Sequence, residues 1–113
     1  VGRTLRHDKS LFPDGANVNF VFGGDEGSIR SVTYERGVED LTASCGTGST
    51  ASAVCRILRN ARPPLSVTVL DVINPGGVNT VTLSFGPGGM TVEASLKGRT
   101  VIVAEGFLTE EAE

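Results

Sequence analysis

The chain has 113 residues, with 10 Lys and Arg against 13 Asp and Glu, and a net charge of −3. That length suits one domain, residues 1–113, burying roughly two-thirds of its unfolded surface around a single core. A hydrophobic share of 39% with 20% charged residues excludes compositional disorder. The acidic balance argues against a nucleic-acid or anionic-membrane partner, which would want clustered Lys and Arg. No apolar run approaches the ~20 residues of a bilayer span, and the opening Val1-Gly-Arg-Thr4 is not a signal peptide, so a cytoplasmic protein is expected.

Strand patterns dominate in chain order. Asn17 to Phe22 alternates Val18, Phe20 and Phe22 with smaller or polar residues, and Gly23-Gly24 breaks it. Ser28 to Tyr34 is a second strand, with Val32 and Tyr34 on one face. A helix is expected from Gly46 to about Asn60, because Ala51, Val54, Cys55, Ile57 and Leu58 recur at helical spacing. Pro63-Pro64 prevents its continuation, and Arg56, Arg59 and Arg62 suit its negative C-terminal end. No charged side chain lies between Asp40 and Arg56, so the first turns of this helix should be buried. Ser66 to Ile73 is the most β-branched run. Strands Val78–Phe85, Met90–Leu96 and Arg99–Ala104 follow, separated by Pro-Gly and Gly-Gly turns. The tail from Glu110 to Glu113 should fray. Together these predict an α+β fold, a mostly antiparallel sheet curled, barrel-like, around one central helix.

The two cysteines are Cys45 and Cys55. Ten residues of helix separate them by about 15 Å, too far for a disulfide. Cys55, mid-stripe, is read as core packing. With His7 the one histidine, read as a surface residue, no zinc spacing exists and no metal is expected. Cys45 stands at the helix start in Ser44-Cys-Gly-Thr-Gly48. The first-turn N–H groups of a helix lack intrahelical partners and carry partial positive charge. Such donors favour a thiolate, usable as a general base, and hold a carboxylate alongside. The same residue types also suit a small buried cysteine packed among glycines. Glu35-Arg36 at a strand end suits a zwitterion, the carboxylate meeting an ammonium and the guanidinium a carboxylate, or a pair of solvated edge charges.

Phe12-Pro-Asp-Gly-Ala-Asn-Val-Asn-Phe20, Thr33-Tyr-Glu-Arg-Gly-Val38 and Ser44-Cys-Gly-Thr-Gly48, in that order, resemble the second half of the diaminopimelate epimerases. Gly86-Pro-Gly-Gly-Met-Thr-Val92 and Leu96-Lys-Gly98 resemble that family's end. The resemblance implies a C-terminal lobe whose N-terminal partner lobe is missing. It implies a fold of two such lobes, with the site in the cleft between them. It further implies a cofactor-independent interconversion of LL- and meso-diaminopimelate, in lysine and peptidoglycan precursor synthesis, by two thiols without pyridoxal phosphate or metal. Cys45 would be one thiol. Gly46 and Thr47 would offer N–H groups to the reacting carboxylate, Glu35 and Arg36 would bind the amino and carboxylate groups, and Asn17 the distal end. Leu41 departs from the family's glutamate, Thr42 matches its threonine, and residues 66–85 suggest an extra hairpin.

Three alternatives follow from the same residues. Gly46-Thr-Gly-Ser-Thr-Ala51 with Asp71 about 20 residues on fits a dinucleotide fingerprint, although a buried strand should precede it. An isomerase of the same superfamily that does not use a cysteine pair is the second. A homo-oligomer that brings two Cys45 residues face to face is the third.

Overall fold

The computed structural model describes residues 1–59 and 67–111. In chain order these form α1 (Gly2–Arg6), β1 (Val18–Phe22), β2 (Ser28–Glu35), β3 (Asp40–Thr42), α2 (Gly46–Leu58), β4 (Thr68–Asn74), β5 (Gly77–Phe85) and β6 (Val92–Lys97), with a 3-10 turn at Pro87–Gly89. The expected helix stop at Asn60, the Pro63-Pro64 pair, Arg62 and the last two residues of the tail lie outside the described residues.

The fold is α+β, with one six-stranded sheet in the order β1-β2-β4-β5-β6 and β3 beside β2. All pairings are antiparallel except β2–β4, where Ser28, Ile29 and Arg30 face Asp71, Val72 and Ile73 in parallel. β3 and β4 share one edge of β2, at its end and its start respectively. The β-branched run forms β4, and Pro75-Gly76 turns it into β5 as the Pro-Gly chemistry predicts.

α2 lies across one face of the sheet and touches β1, β2, β4, β5 and β6. Alternation along the strands sends Ile29, Leu70, Val72, Val81 and Leu83 to that face. With Ala53 they form the core, and Val54, Ile57 and Phe85 pack against it. The sheet curls about the helix but stays open. Among the described residues β1 and β6 are its outer strands and do not pair with each other.

Two sequence expectations are corrected here, the buried face of the helix and the last strand. The helical stripe is rotated. Ser49, Ser52 and Ala53 face the sheet, while Ala51, Cys55 and Leu58 are exposed, so Cys55 is not a core residue. The inward serines are tolerated because they are paired. Ser52 Oγ donates to the Gly48 carbonyl at 2.7 Å and lies 2.9 Å from Ser31 Oγ, and a satisfied polar group carries little burial penalty.

The phenylalanine alternation of β1 is real but faces outward. Phe20 lies on the outer side with Tyr34, where Gly2 of α1 packs on both. Asn19 and Val21 take the helix side. α1 itself has no sequence signature, being five residues long without a side-chain cap. The segment Arg99–Ala104 alternates like a strand but pairs with nothing described. Val101, Ile102 and Val103 are 69%, 83% and 91% exposed. Alternation predicts strand conformation only where a sheet edge accepts the backbone.

No described helix is long and apolar enough to cross a membrane.

Candidate active site

Cys45 is the N-cap of α2, with an extended backbone (φ −141°, ψ 114°). Its sulfur accepts a hydrogen bond from the Gly48 amide at 3.4 Å and lies 3.4 Å from the Thr47 hydroxyl. The Ser49 amide goes to the Cys45 carbonyl at 2.8 Å. The Gly46 and Thr47 amides come before any intrahelical acceptor, so they remain available to an anion at the helix mouth. Cys45 is 8% exposed, Gly46 half-buried and Thr47 exposed.

β2 runs past the first turns of α2 toward the Glu35–Arg36 pair. Ser31 meets Ser52, and Thr33 lies against Gly48. Each two-residue step along the strand covers about 6.6 Å and each four-residue step along the helix about 6 Å. Glu35 is the next residue on that face of β2 and ends the strand, opposite Asp40 of β3, while Ser44 and Cys45 precede the first helical turn. Arg36 follows in the β2–β3 hairpin. Its amide donates to Asn17 Oδ1 at 2.7 Å, and its guanidinium Nη1 donates to the Asp14 carbonyl at 2.9 Å. Asn17 thus meets Arg36 directly.

An apolar groove of about 560 Å³ opens beside the mouth, lined by Gly46, Thr47, Thr50, Ala51 and Leu96. A larger cavity of about 640 Å³, lined by Glu26, Arg56, Ile57, Arg59 and Leu70, lies at the opposite end of α2. The helix-mouth groove is lined by Gly46 and Thr47, the two residues that follow Cys45 in the chain.

Three supports of this site were not foreseen from the sequence. Asn79 Nδ2 donates to Ser44 Oγ (3.1 Å) and Ser49 Oγ (2.9 Å), and Asn74 Nδ2 donates to Ser49 Oγ (3.1 Å). This network anchors both sides of Cys45 to the β4–β5 hairpin. The signal was the pair of Asn residues flanking Pro75-Gly76, which reads equally well as turn chemistry.

The second support is Thr33 Oγ1 donating to Asn19 Oδ1 at 2.7 Å directly over the first helical turn. A Cβ on Gly48 would lie 2.5 Å from both oxygens. Thr33 is rigid and 1% exposed, so Gly48→Ala must break that hydrogen bond and displace strand or helix. The expected loss is about 2–4 kcal/mol from overpacking plus the bond. Gly46→Ala meets only the flexible end of Leu96, at 2.9 Å. It should be neutral or stabilising, because alanine exceeds glycine in helix propensity by up to ~1 kcal/mol. Urea unfolding of the two variants checks the contrast.

Glu39 is the third. Burial raises its carboxyl, but the Gly37 amide, Arg6 and His7 outweigh this and hold it below its ordinary 4.5. A carboxyl depressed in the folded state contributes stability that is full above pH 4.5 and is lost as pH falls through the folded value. The urea midpoints of wild type and Glu39→Gln should differ at neutral pH and converge in acid.

Searched against known proteins, the chain matches no family model. It is 40% identical over 111 residues, 98% of its length, to diaminopimelate epimerase from Aquifex aeolicus. It is also 42% identical over 99 residues to the Methanocella arvoryzae protein of that name, and 56% over 55 residues to that of Chlorobaculum tepidum. Over nearly its whole length the chain thus matches part of the diaminopimelate epimerases. It spans 38% of the Aquifex protein and 35% of the Methanocella one, well under half the length of these relatives.

The dinucleotide alternative lacks its setting. The Gly46–Ala51 segment follows β3, a three-residue strand whose neighbour β2 is antiparallel, rather than a buried parallel strand.

Proposed function

We propose that this chain is the C-terminal lobe of a two-lobe, cytoplasmic, cofactor-independent epimerase that inverts an α-carbon of diaminopimelate, with Cys45 as one of two proton-transfer thiols. The missing N-terminal lobe supplies the other thiol from the opposite face. The substrate carboxylate at the reacting centre sits on the Gly46 and Thr47 amides, Glu35 holds the substrate ammonium, and the Arg36 guanidinium holds a substrate carboxylate. Asn17 serves the distal end and steadies Arg36.

In one direction the Cys45 thiolate forms an S–H bond as the α-C–H bond breaks. The electron pair moves toward the carboxylate, whose growing charge the helix N-terminus stabilises. The opposite thiol then gives its proton to the α-carbon and is left as thiolate. The next turnover runs in reverse or after proton exchange with solvent.

The observation that carries this reading is an N-cap sulfur at Cys45 beside the Gly46 and Thr47 amides, in a chain similar over nearly its whole length to diaminopimelate epimerases. Neither face of an α-carbon can be served by a thiol on the other. The 113-residue chain alone should therefore interconvert LL- and meso-diaminopimelate negligibly, and regain turnover when combined with the complementary remainder of a relative such as the Aquifex protein. Stereoisomer analysis by chromatography checks this. Robust turnover by the isolated monomeric chain contradicts it.

A further inference from the structure

The β2–β3 hairpin that presents Arg36 ends on a residue in an unfavourable conformation. Glu39 has φ +61° and is the one described non-glycine residue with positive φ. Glycine adopts this region without strain, whereas a side chain persists there only when its surroundings over-determine it. Here they do. Glu39 Oε1 accepts from Arg6 Nη2 at 2.7 Å and from the Gly37 amide at 3.2 Å, while Oε2 accepts from His7 Nε2 at 2.9 Å. The Glu39 carbonyl accepts from the Tyr34 hydroxyl at 2.8 Å, and its amide donates to the Glu35 carbonyl at 2.8 Å.

These contacts reach beyond the hairpin. Arg6 is the last residue of α1 and His7 its C-cap, and the Arg6 side chain is 13% exposed. α1 has five residues, too few to hold itself together. It is secured by Gly2 against Tyr34 and Phe20 at one end and by Glu39 at the other. Arg36 is held in turn by Asn17 and Asp14, which lie on the stretch between α1 and β1. The hairpin thus sits between two attachments to one N-terminal segment.

We propose that Glu39 is a positioning residue: by tying the hairpin to the end of α1, it fixes the backbone at Arg36 and so sets the Glu35–Arg36 pair for an amino-acid zwitterion. The role given to that pair rests on the function proposed above. The clamp itself does not.

The rival reading is that Glu39 merely closes its own turn. The Arg36 amide separates the two, because its acceptor is Asn17 and not Glu39. Amide hydrogen exchange by NMR is measured on the 113-residue chain, on Glu39→Gly, which keeps the turn conformation while removing the carboxylate, and on Arg6→Met, which leaves the hairpin sequence intact. The clamp predicts that Arg36 exchanges about tenfold faster in both variants, together with Gly37 in Glu39→Gly, while Val81 and Leu83 in β5 are unchanged. An Arg36 rate unchanged in either variant overturns the proposal.

Titration of the same samples with meso-diaminopimelate gives a second readout. Binding should weaken about tenfold, with the shifts of Cys45 and Gly46 at saturation preserved. Failure of the wild-type chain to bind would sink the zwitterion role of Glu35 and Arg36, while the exchange data would still decide whether Glu39 holds the hairpin.

Discussion

Cys45→Ser, in this chain combined with the complementary part of a family relative, is expected to lower epimerase turnover by about 10²–10⁴-fold, the usual worth of a positioned proton-transfer group. Serine is a good N-cap, so the Gly48 amide keeps an acceptor and α2 keeps its start. An activity loss with an unchanged unfolding midpoint then belongs to the lost thiol. The fall should appear in kcat far more than in KM, because in the proposed mechanism the sulfur acts on the proton in the transition state while the amides and Glu35–Arg36 bind the substrate. Cys55→Ala is the control. Cys55 is exposed on the helix face turned from the core, about 15 Å along the axis from Cys45. Its removal should leave turnover within about twofold, since it makes no contact with the proposed site.

Leu83→Ala is expected to reduce stability by about 2–5 kcal/mol. Leu83 is fully buried on β5, in the core that α2 closes with Ile29, Leu70, Val72 and Val81. Small domains hold only about 5–15 kcal/mol in total, so the denaturant midpoint should fall steeply. Val103→Ala removes two methyl groups from a residue 91% exposed and should stay within about 0.5 kcal/mol. If the two variants lost similar stability, the core would not lie between α2 and the β4–β5 hairpin.

The strands were legible where two signals agreed. β4 and β5 combine β-branched runs with a Pro-Gly turn, and register follows from both. The start of α2 was legible from small residues and the absence of charge, and the sulfur does cap the helix. The buried face of α2 was not legible. Apolar spacing favours Cys55 and Leu58, whereas the fold turns Ser49 and Ser52 inward. Their partners, Ser31, Asn74 and Asn79, are 21 to 30 residues away in sequence. Hydrophobic periodicity cannot register a hydroxyl whose partner comes from another strand.

Arg99–Ala104 failed in the opposite way, since its alternation is genuine but no described edge receives it. Glu39 was invisible for a third reason. At a left-handed position sequence reasoning looks for glycine, and the clamp that permits glutamate is supplied by Arg6 and His7, more than thirty residues upstream. Glu35 and Arg36 were found as a charged pair, but the hold of Asn17 and Asp14 on Arg36, from about twenty residues upstream, emerged only from the fold.

The most direct measurement of whether the Cys45 sulfur faces a substrate groove is alkylation by iodoacetamide, mapped by mass spectrometry on the 113-residue chain with and without meso-diaminopimelate. The account predicts that both thiols react, that diaminopimelate slows Cys45 in proportion to its occupancy, and that Cys55 is unaffected. A Cys45 that never reacts in the folded chain, or whose rate is indifferent to saturating diaminopimelate, would contradict it.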